Sequence, residues 1–141
     1  MQNEIATTDR IRILIVEDHH RFRAALRRLL ELEVDLHIVG EATDGPEAID
    51  LACQLKPQVI CMDLRLPTFT GVEATRRLLG MHPTLKIIGL SAHSEKSYIT
   101  EMLEAGAVAY VSKADVCDEL VHAIRDACRI PAATMAHLST S

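Results

Sequence analysis

The fold of this 141-residue chain is constrained most by an alternation of short apolar runs with helical patterns, repeated five times. The runs are rich in β-branched residues, which is typical of buried strands. They lie at residues 11–16, 36–42, 59–62, 85–90 and 107–111. After each run, apolar residues recur every three or four positions, which predicts an amphipathic helix. Because helices are the usual crossovers between parallel strands, the alternation predicts an α/β fold with helices on both faces of a parallel sheet.

At this length, the expected arrangement is a flavodoxin-like (βα)5 three-layer sandwich with strand order 2-1-3-4-5. Several helix boundaries are marked in the sequence: Asp44 is placed to cap the second helix, Pro46 lies in its first turn, and Gly106 ends the fourth helix. In this strand order, strands one and three are neighbours. Sheets of this kind bind ligands at the carboxyl ends of their strands.

The composition, 48% hydrophobic and 25% charged, suits one domain with a sizeable core. We assign that domain to residues 11–129, a flexible leader to residues 1–10, and a tail or the start of an interdomain linker to residues 130–141. The net charge is -5, from 15 basic and 20 acidic residues. This excess of acid argues against direct nucleic-acid binding by this segment.

Cellular location is constrained by the cysteines and by the lack of long apolar stretches. No two of the four cysteines have a CxxC spacing, so free thiols in a reducing cytoplasm are expected. The polar first residues do not resemble a signal peptide. No apolar stretch approaches the ~20 residues that a membrane span needs. We therefore expect a soluble, cytoplasmic protein that does not enter a membrane.

Residues with reactive side chains follow four of the predicted strands. Glu17 and Asp18 end strand one, Asp63 ends strand three, Ser91 ends strand four, and Lys113 ends strand five. These strand ends share one edge of the sheet, so the side chains can converge. Three carboxylates against one lysine either raise a pKa or recruit a cation, and oxygen ligands favour Mg²⁺. A metal beside a carboxylate, a hydroxyl and an ammonium group indicates phosphoryl transfer, with Asp63 as the nucleophile.

The chain resembles the receiver domain of a two-component response regulator over about residues 11–129. Glu17-Asp18 resembles the acidic pair of that family, and Asp63, in Met62-Asp63-Leu64-Arg65-Leu66-Pro67 followed by Gly71, resembles the phospho-acceptor and its loop. The resemblance implies that Asp63 accepts a phosphoryl group from a sensor histidine kinase, a phosphotransfer protein or a small phosphodonor. It also implies that Asp18, Asp63 and the backbone carbonyl of Arg65 bind Mg²⁺ directly, and that Glu17 acts through water.

Three further positions resemble the switch elements of the family. Ser91 resembles the switch hydroxyl, Tyr110 the aromatic switch residue, and Lys113 the lysine that pairs with the phosphoryl oxygens. The resemblance implies that Ser91 moves toward the phosphoryl group and that Tyr110 follows it inward. This shift would change the face formed by helix four, strand five and helix five, and so control an output. Arg65 and His93, two residues after Asp63 and Ser91, occupy positions that tune reaction rates in the family.

At one position the chain departs from the common receiver pattern, and this departure indicates a subgroup of the family. Many receivers have proline after the lysine, whereas this chain has Ala114 in Ser112-Lys113-Ala114-Asp115. With Leu90-Ser91-Ala92-His93, this pattern is similar to regulators that carry a LuxR-type helix-turn-helix output domain, which implies a role in transcription. A homodimer, formed by helices one and five or by the helix-four face, is left open.

Two other functions are compatible with parts of the pattern. A receiver-like interaction module that works without phosphorylation would share the fold, but it would not need a complete pocket. A phosphohydrolase could use the same aspartate, but it would need an acid near the nucleophile, and Arg65 stands two residues after Asp63. Self-phosphorylation and autodephosphorylation are therefore the only catalysis we expect.

The arginines of helix one are interpreted as a solvated helix face, with a docking patch as the alternative: Arg21, Arg23, Arg27 and Arg28.

Overall fold

A computed structural model describes residues 9–92 and 96–129, which form a parallel five-stranded sheet with order β2-β1-β3-β4-β5. The predicted strand order and the flavodoxin-like architecture are confirmed. The strands are β1 (Ile11–Val16), β2 (Leu36–Ala42), β3 (Val59–Asp63), β4 (Lys86–Ser91) and β5 (Ala109–Ser112). The α-helices are α1 (His20–Glu31), α2 (Gly45–Leu55), α3 (Gly71–Met81), α4 (Lys96–Ala105) and α5 (Val116–Cys128). A single 3₁₀ turn, Lys113–Asp115, joins β5 to α5.

The sheet separates two apolar layers because successive strand residues point to opposite faces. Ile13 and Ile15 of β1 pack in the layer under α1 and α5. Leu14 and Val16 pack in the layer shared with α2, α3 and α4. All five positions of β3 are buried, as expected for a central parallel strand covered on both faces. The carboxylate of Asp63 therefore lies at the end of the most enclosed strand of the sheet.

The predicted helix boundaries are confirmed at both marked positions. The Asp44 side chain accepts a hydrogen bond of 2.8 Å from the Glu47 amide, which caps α2 with Pro46 in its first turn. Gly106 has φ +115°, and a Cβ there would lie 2.5 Å from Leu79 Cδ1. A side chain at this position would therefore meet both backbone strain and a clash.

Strand β5 starts two residues later than the sequence predicted. The predicted strand began at Ala107, but that residue lies in the turn that closes α4. The amides of Gly106 and Ala107 donate to the carbonyls of Leu103 and Met102 at 3.1 and 3.0 Å. This is the Schellman arrangement, which satisfies helix carbonyls before the strand begins.

The pairing of β1 with β2 contains a bulge that decides the direction of one charged side chain. Ile13 pairs with Ile38, but Leu14 pairs with Gly40, so Val39 is an extra residue. Beyond the bulge, Glu41 lies beside Ile15 and therefore on the α1 face of the sheet. With regular alternation from Ile38, it would lie on the opposite face.

Three expectations fall on residues outside the described ranges. They are the leader assigned to residues 1–10, of which residues 1–8 are outside, the tail at residues 130–141, and His93. Within the described ranges, none of the helices is long and apolar enough to cross a bilayer.

Candidate functional site

The strand register brings the predicted site residues to one edge of the sheet. Val16 pairs with Met62, so the residues that follow them, Glu17 and Asp63, are neighbours. Ser91 pairs with Ser112 in the adjoining strands, and Lys113 follows directly. The convergence expected from the strand order is thus present at the carboxyl edge of β1, β3, β4 and β5.

Three carboxylates form the centre of this site. Glu17, Asp18 and Asp63 each offer an oxygen atom, and these oxygens lie within 4.8 Å of one another. Glu17 is fully buried and Asp63 is 3% exposed, whereas Asp18 is exposed to solvent. An all-oxygen donor set with one open side fits a hard cation that keeps part of its water shell, as Mg²⁺ does.

Lys113 is the cation that contacts this cluster in the described part of the chain. Its Nζ lies 3.1 Å from Glu17 Oε1 and 3.2 Å from Asp63 Oδ1. The Phe22 ring, on α1, has its centroid 5.0 Å from the same ammonium group. Burial lowers the pKa of Lys113, but the Asp63 and Glu17 carboxylates outweigh this effect and raise it. Lys113 therefore stays charged in the pocket.

The single ammonium group of Lys113 does not neutralise the negative charge of the three carboxylates. Burial, followed by the Glu17 carboxylate, raises the pKa of Asp63 above its ordinary value. Lys113 and the Arg65 amide, which donates to Asp63 Oδ1 at 3.2 Å, act in the opposite direction without cancelling the increase. The ionised aspartate is thus held at a free-energy cost that an added cation can relieve.

The loop between β3 and α3 folds tightly behind Asp63. A Cβ at Gly71 would lie 2.1 Å from the Asp63 carbonyl oxygen, and the Gly71 amide donates to Leu64 at 2.9 Å. Thr68 has φ 77°, a left-handed conformation that side chains rarely adopt. Gly71 is part of the sequence motif that follows Asp63, and the close approach of the backbone is the physical reason for a glycine there.

The remaining predicted site residues differ in burial. Ser91 is 1% exposed at the end of β4. Tyr110 is 45% exposed, and its pairing with Gly89 sets it on the face of the sheet that α4 covers. Arg65 is exposed, and its guanidinium carbon lies 5.9 Å from the ring centroid of Tyr98 on α4. The Tyr110 side chain is thus partly exposed to solvent in this conformation, while Ser91 is enclosed.

The expectation of a solvated arginine face on α1 is wrong for Arg23. Its side chain is only 16% exposed, its Nε pairs with Glu41 at 2.9 Å, and its Nη1 donates to the Glu17 carbonyl at 2.8 Å. The sequence did not reveal these contacts because the bulge at Val39 turns Glu41 toward α1. Arg21 and Arg28 are exposed, as expected.

Residues 13–125 match the family model of the response regulator receiver domain. This chain belongs to that family. The receiver is 37% identical over 123 residues to the transcriptional regulatory protein DegU of Brevibacillus brevis, with 87% of this chain and 52% of DegU covered. It is 40% identical over 115 residues to the response regulator GacA of Pseudomonas viridiflava, with 82% of this chain and 54% of GacA covered.

A solved structure supports the same assignment. The receiver superimposes on a LuxR-family two-component response regulator from Aurantimonas sp. SI85-9A1 with a TM-score of 0.79 and 36% identity, covering 83% of this chain and 84% of that one. The resemblance to LuxR-type regulators is thereby confirmed. The chain spans about half the length of the curated relatives that it matches.

Proposed function

We propose that this receiver is the phosphoacceptor of a two-component phosphorelay and that Asp63 takes the phosphoryl group in a Mg²⁺-dependent reaction. The observation that carries the proposal is the group of three carboxylates, two of them buried, that one lysine leaves unbalanced. A purely structural cluster would gain stability from a further basic residue. An excess of negative charge instead favours a cation and, with it, a phosphoryl group.

The metal would be held by Asp18, Asp63 and the backbone carbonyl of Arg65, with Glu17 acting through water. Bound Mg²⁺ supplies positive charge that offsets the negative phosphoryl oxygens. A carboxylate oxygen of Asp63 attacks phosphorus, and the bond from phosphorus to the donor nitrogen or oxygen breaks. The electron pair leaves with the donor, which takes up a proton when it is a histidine. Water later cleaves the aspartyl phosphate and restores the carboxylate.

Lys113 and Ser91 would act on the phosphorylated form. Lys113 lies 3.2 Å from Asp63 Oδ1, so its ammonium group is within reach of a phosphoryl oxygen attached to that carboxylate. Ser91, buried at the next strand end, would bond another phosphoryl oxygen, and the exposed Tyr110 ring would turn inward behind it. Both movements would change the face of α4, β5 and α5, and so control an output such as transcription.

The donor would be a sensor histidine kinase or a phosphotransfer protein in the cytoplasm, where we place this receiver. A homodimer would be compatible with the same switch. Arg65 and His93 would adjust how fast the phosphoryl group is gained and lost, since they resemble the positions that tune these rates in the family.

The proposal is tested by intact mass spectrometry after incubation with acetyl phosphate. Wild-type protein with Mg²⁺ should gain one phosphoryl group, whereas addition of a chelator or the substitution Asp63→Asn should abolish the gain. Ser91→Ala is a matched variant at the same edge that keeps the nucleophile and should still be labelled. If Asp63→Asn is labelled as fully as the wild type, Asp63 is not the acceptor.

A further inference from the structure

We propose that Arg23 is a positioning residue of the metal site, which holds the Glu17–Asp18 peptide in the orientation that turns Asp18 toward the cation. The inference rests on the proposed function, because it takes the acidic pair to be the Mg²⁺ site. Arg23 touches neither the metal nor the phosphoryl group in this scheme. It acts through the backbone of Glu17.

The amide, the carbonyl and Oε2 of Glu17 have hydrogen-bond partners, and Arg23 supplies one of these contacts, whereas buried Oε1 has an ion pair alone. The Glu17 amide donates to the Ala42 carbonyl at 2.9 Å, and its carbonyl accepts from Arg23 Nη1 at 2.8 Å. Its Oε2 accepts from the His19 amide at 3.1 Å, and its Oε1 faces Lys113 Nζ at 3.1 Å. Glu17 is thus fixed at both its backbone and its side chain.

The contact to the Glu17 carbonyl also determines where Asp18 lies. That carbonyl belongs to the peptide group between Glu17 and Asp18, and a peptide group is planar. Holding the oxygen therefore sets the direction of the chain toward the Asp18 Cα. Asp18 is exposed, so packing cannot orient it as it orients Asp63. The Arg23 hydrogen bond holds the peptide group before Asp18, and the His19 amide, which donates to Glu17 Oε2, holds the one after it.

Arg23 is in turn oriented by Glu41, which the β-bulge turns toward α1. Arg23 Nε donates to Glu41 Oε1 at 2.9 Å, which aims the other guanidinium nitrogens at the loop. Bulges commonly redirect a side chain beside a functional site. The fork geometry of arginine allows both contacts at once, whereas a lysine at position 23 would have one nitrogen for the two acceptors.

Arg27 offers a matched control on the same helix. Its Nε donates to the other oxygen of Glu41, and its Nη1 pairs with Glu31 at 2.9 Å. Substitution of either arginine removes an ion pair with Glu41, but only Arg23 has the hydrogen bond to the Glu17 carbonyl among the described contacts. Both variants therefore lose a positive charge and an ion pair with Glu41, and the bond to the Glu17 carbonyl is lost in Arg23→Gln alone.

The test is the Mg²⁺ dissociation constant, measured by isothermal titration calorimetry for the wild type, Arg23→Gln and Arg27→Gln. We expect Arg23→Gln to weaken Mg²⁺ binding about tenfold, as loss of an outer contact at a metal site typically does. Arg27→Gln should stay within about twofold of the wild type, as expected for an ion pair away from the ligands. Equal weakening in both variants, or wild-type affinity in Arg23→Gln, would overturn the inference.

A second readout does not need the metal. Hydrogen exchange of the His19 amide, which donates to Glu17 Oε2, should be about tenfold faster in Arg23→Gln than in Arg27→Gln when it is followed in EDTA, because the loop opens locally. Unchanged exchange would contradict the positioning role. If Arg23→Gln does not fold, Glu41→Ala, which removes the acceptor of Arg23 Nε, should weaken Mg²⁺ binding in its place. A wild type that binds no Mg²⁺ would instead reject the proposed metal site, while the exchange comparison would still decide whether Arg23 holds the loop.

Discussion

Two clusters of this receiver each combine carboxylates with one basic side chain, but the pKa of an aspartate is raised in one cluster and lowered in the other. In the pocket, Lys113 faces the buried carboxylates of Glu17 and Asp63. Before the start of β2, Asp35 pairs with Nε and Nη2 of Arg125 on α5 at 2.9 and 2.8 Å, and Glu33 pairs with the same arginine at 2.8 Å. The pKa of Asp63 is raised, mainly by burial, whereas the hydrogen bonds of Arg125 lower the pKa of Asp35.

The difference between the two clusters lies in how well the positive charge in each one matches its carboxylates. The Arg125 cluster joins the α1–β2 loop to α5, remains partly exposed, and uses a bidentate arginine that satisfies both carboxylate oxygens. The pocket encloses its carboxylates and leaves them short of positive charge. Such a site is unfavourable for the resting fold and favourable for a bound cation, which is what the proposed function requires.

The largest expected effect comes from neutralising Asp63. Without Mg²⁺ and at neutral pH, Asp63→Asn should raise the free energy of unfolding by about 2 kcal/mol, because a buried, repelled charge is removed. The folded-state pKa of Asp63 is raised. The free energy of unfolding of the wild type therefore falls by about the same amount as pH rises from the unfolded pKa of the carboxyl group through the folded one. The two proteins should therefore be nearly equal in acid and diverge toward neutral pH. Urea unfolding in EDTA across this range measures the effect, and a less stable Asp63→Asn at pH 7 would contradict it.

Magnesium should relieve the same repulsion in the wild type. At ten times its dissociation constant, Mg²⁺ should stabilise the fold by about 1.4 kcal/mol, the linkage value for one site. Asp63→Asn should gain less, because it loses one anionic ligand. Thermal unfolding with increasing MgCl₂ measures both shifts, with NaCl of equal ionic strength as the control. Equal gains from the two salts would mean that screening, and not a site, is responsible.

Breaking the balanced cluster should have the smallest effect. Arg125→Gln should lower the free energy of unfolding by about 1 kcal/mol or less, as is usual for exposed ion pairs. Because the folded-state pKa of Asp35 is lowered, this contribution is present above the unfolded pKa of the carboxyl group and is lost as pH falls through the folded one. The variant and the wild type should therefore converge in acid, and phosphoryl uptake should not change. A large loss of uptake would show that the two clusters are coupled.

The fold and the centre of the site could be predicted from the sequence, because local patterns mark each strand and helix and the parallel strand order brings the strand ends together. The end of β3 at Asp63 and the end of β1 at Glu17 are visible as apolar runs, and the parallel order brings them together. The contacts of Arg23 could not be predicted this way, because they depend on the bulge at Val39, and a single extra residue in a strand reverses every later side chain. The exposure of Tyr110 could not be predicted either, because strand periodicity assigns a side chain to one face of the sheet but not how fully it is covered.

The central claim is that the unbalanced pocket, and not another acidic group, receives the phosphoryl group at Asp63. The most direct measurement is to phosphorylate the receiver with acetyl phosphate and Mg²⁺, reduce the acyl phosphate with borohydride, and locate the resulting homoserine by peptide mass spectrometry. We predict homoserine at position 63, with Asp18 and Asp35 unmodified. Homoserine at either of those positions and not at Asp63 would contradict the assignment.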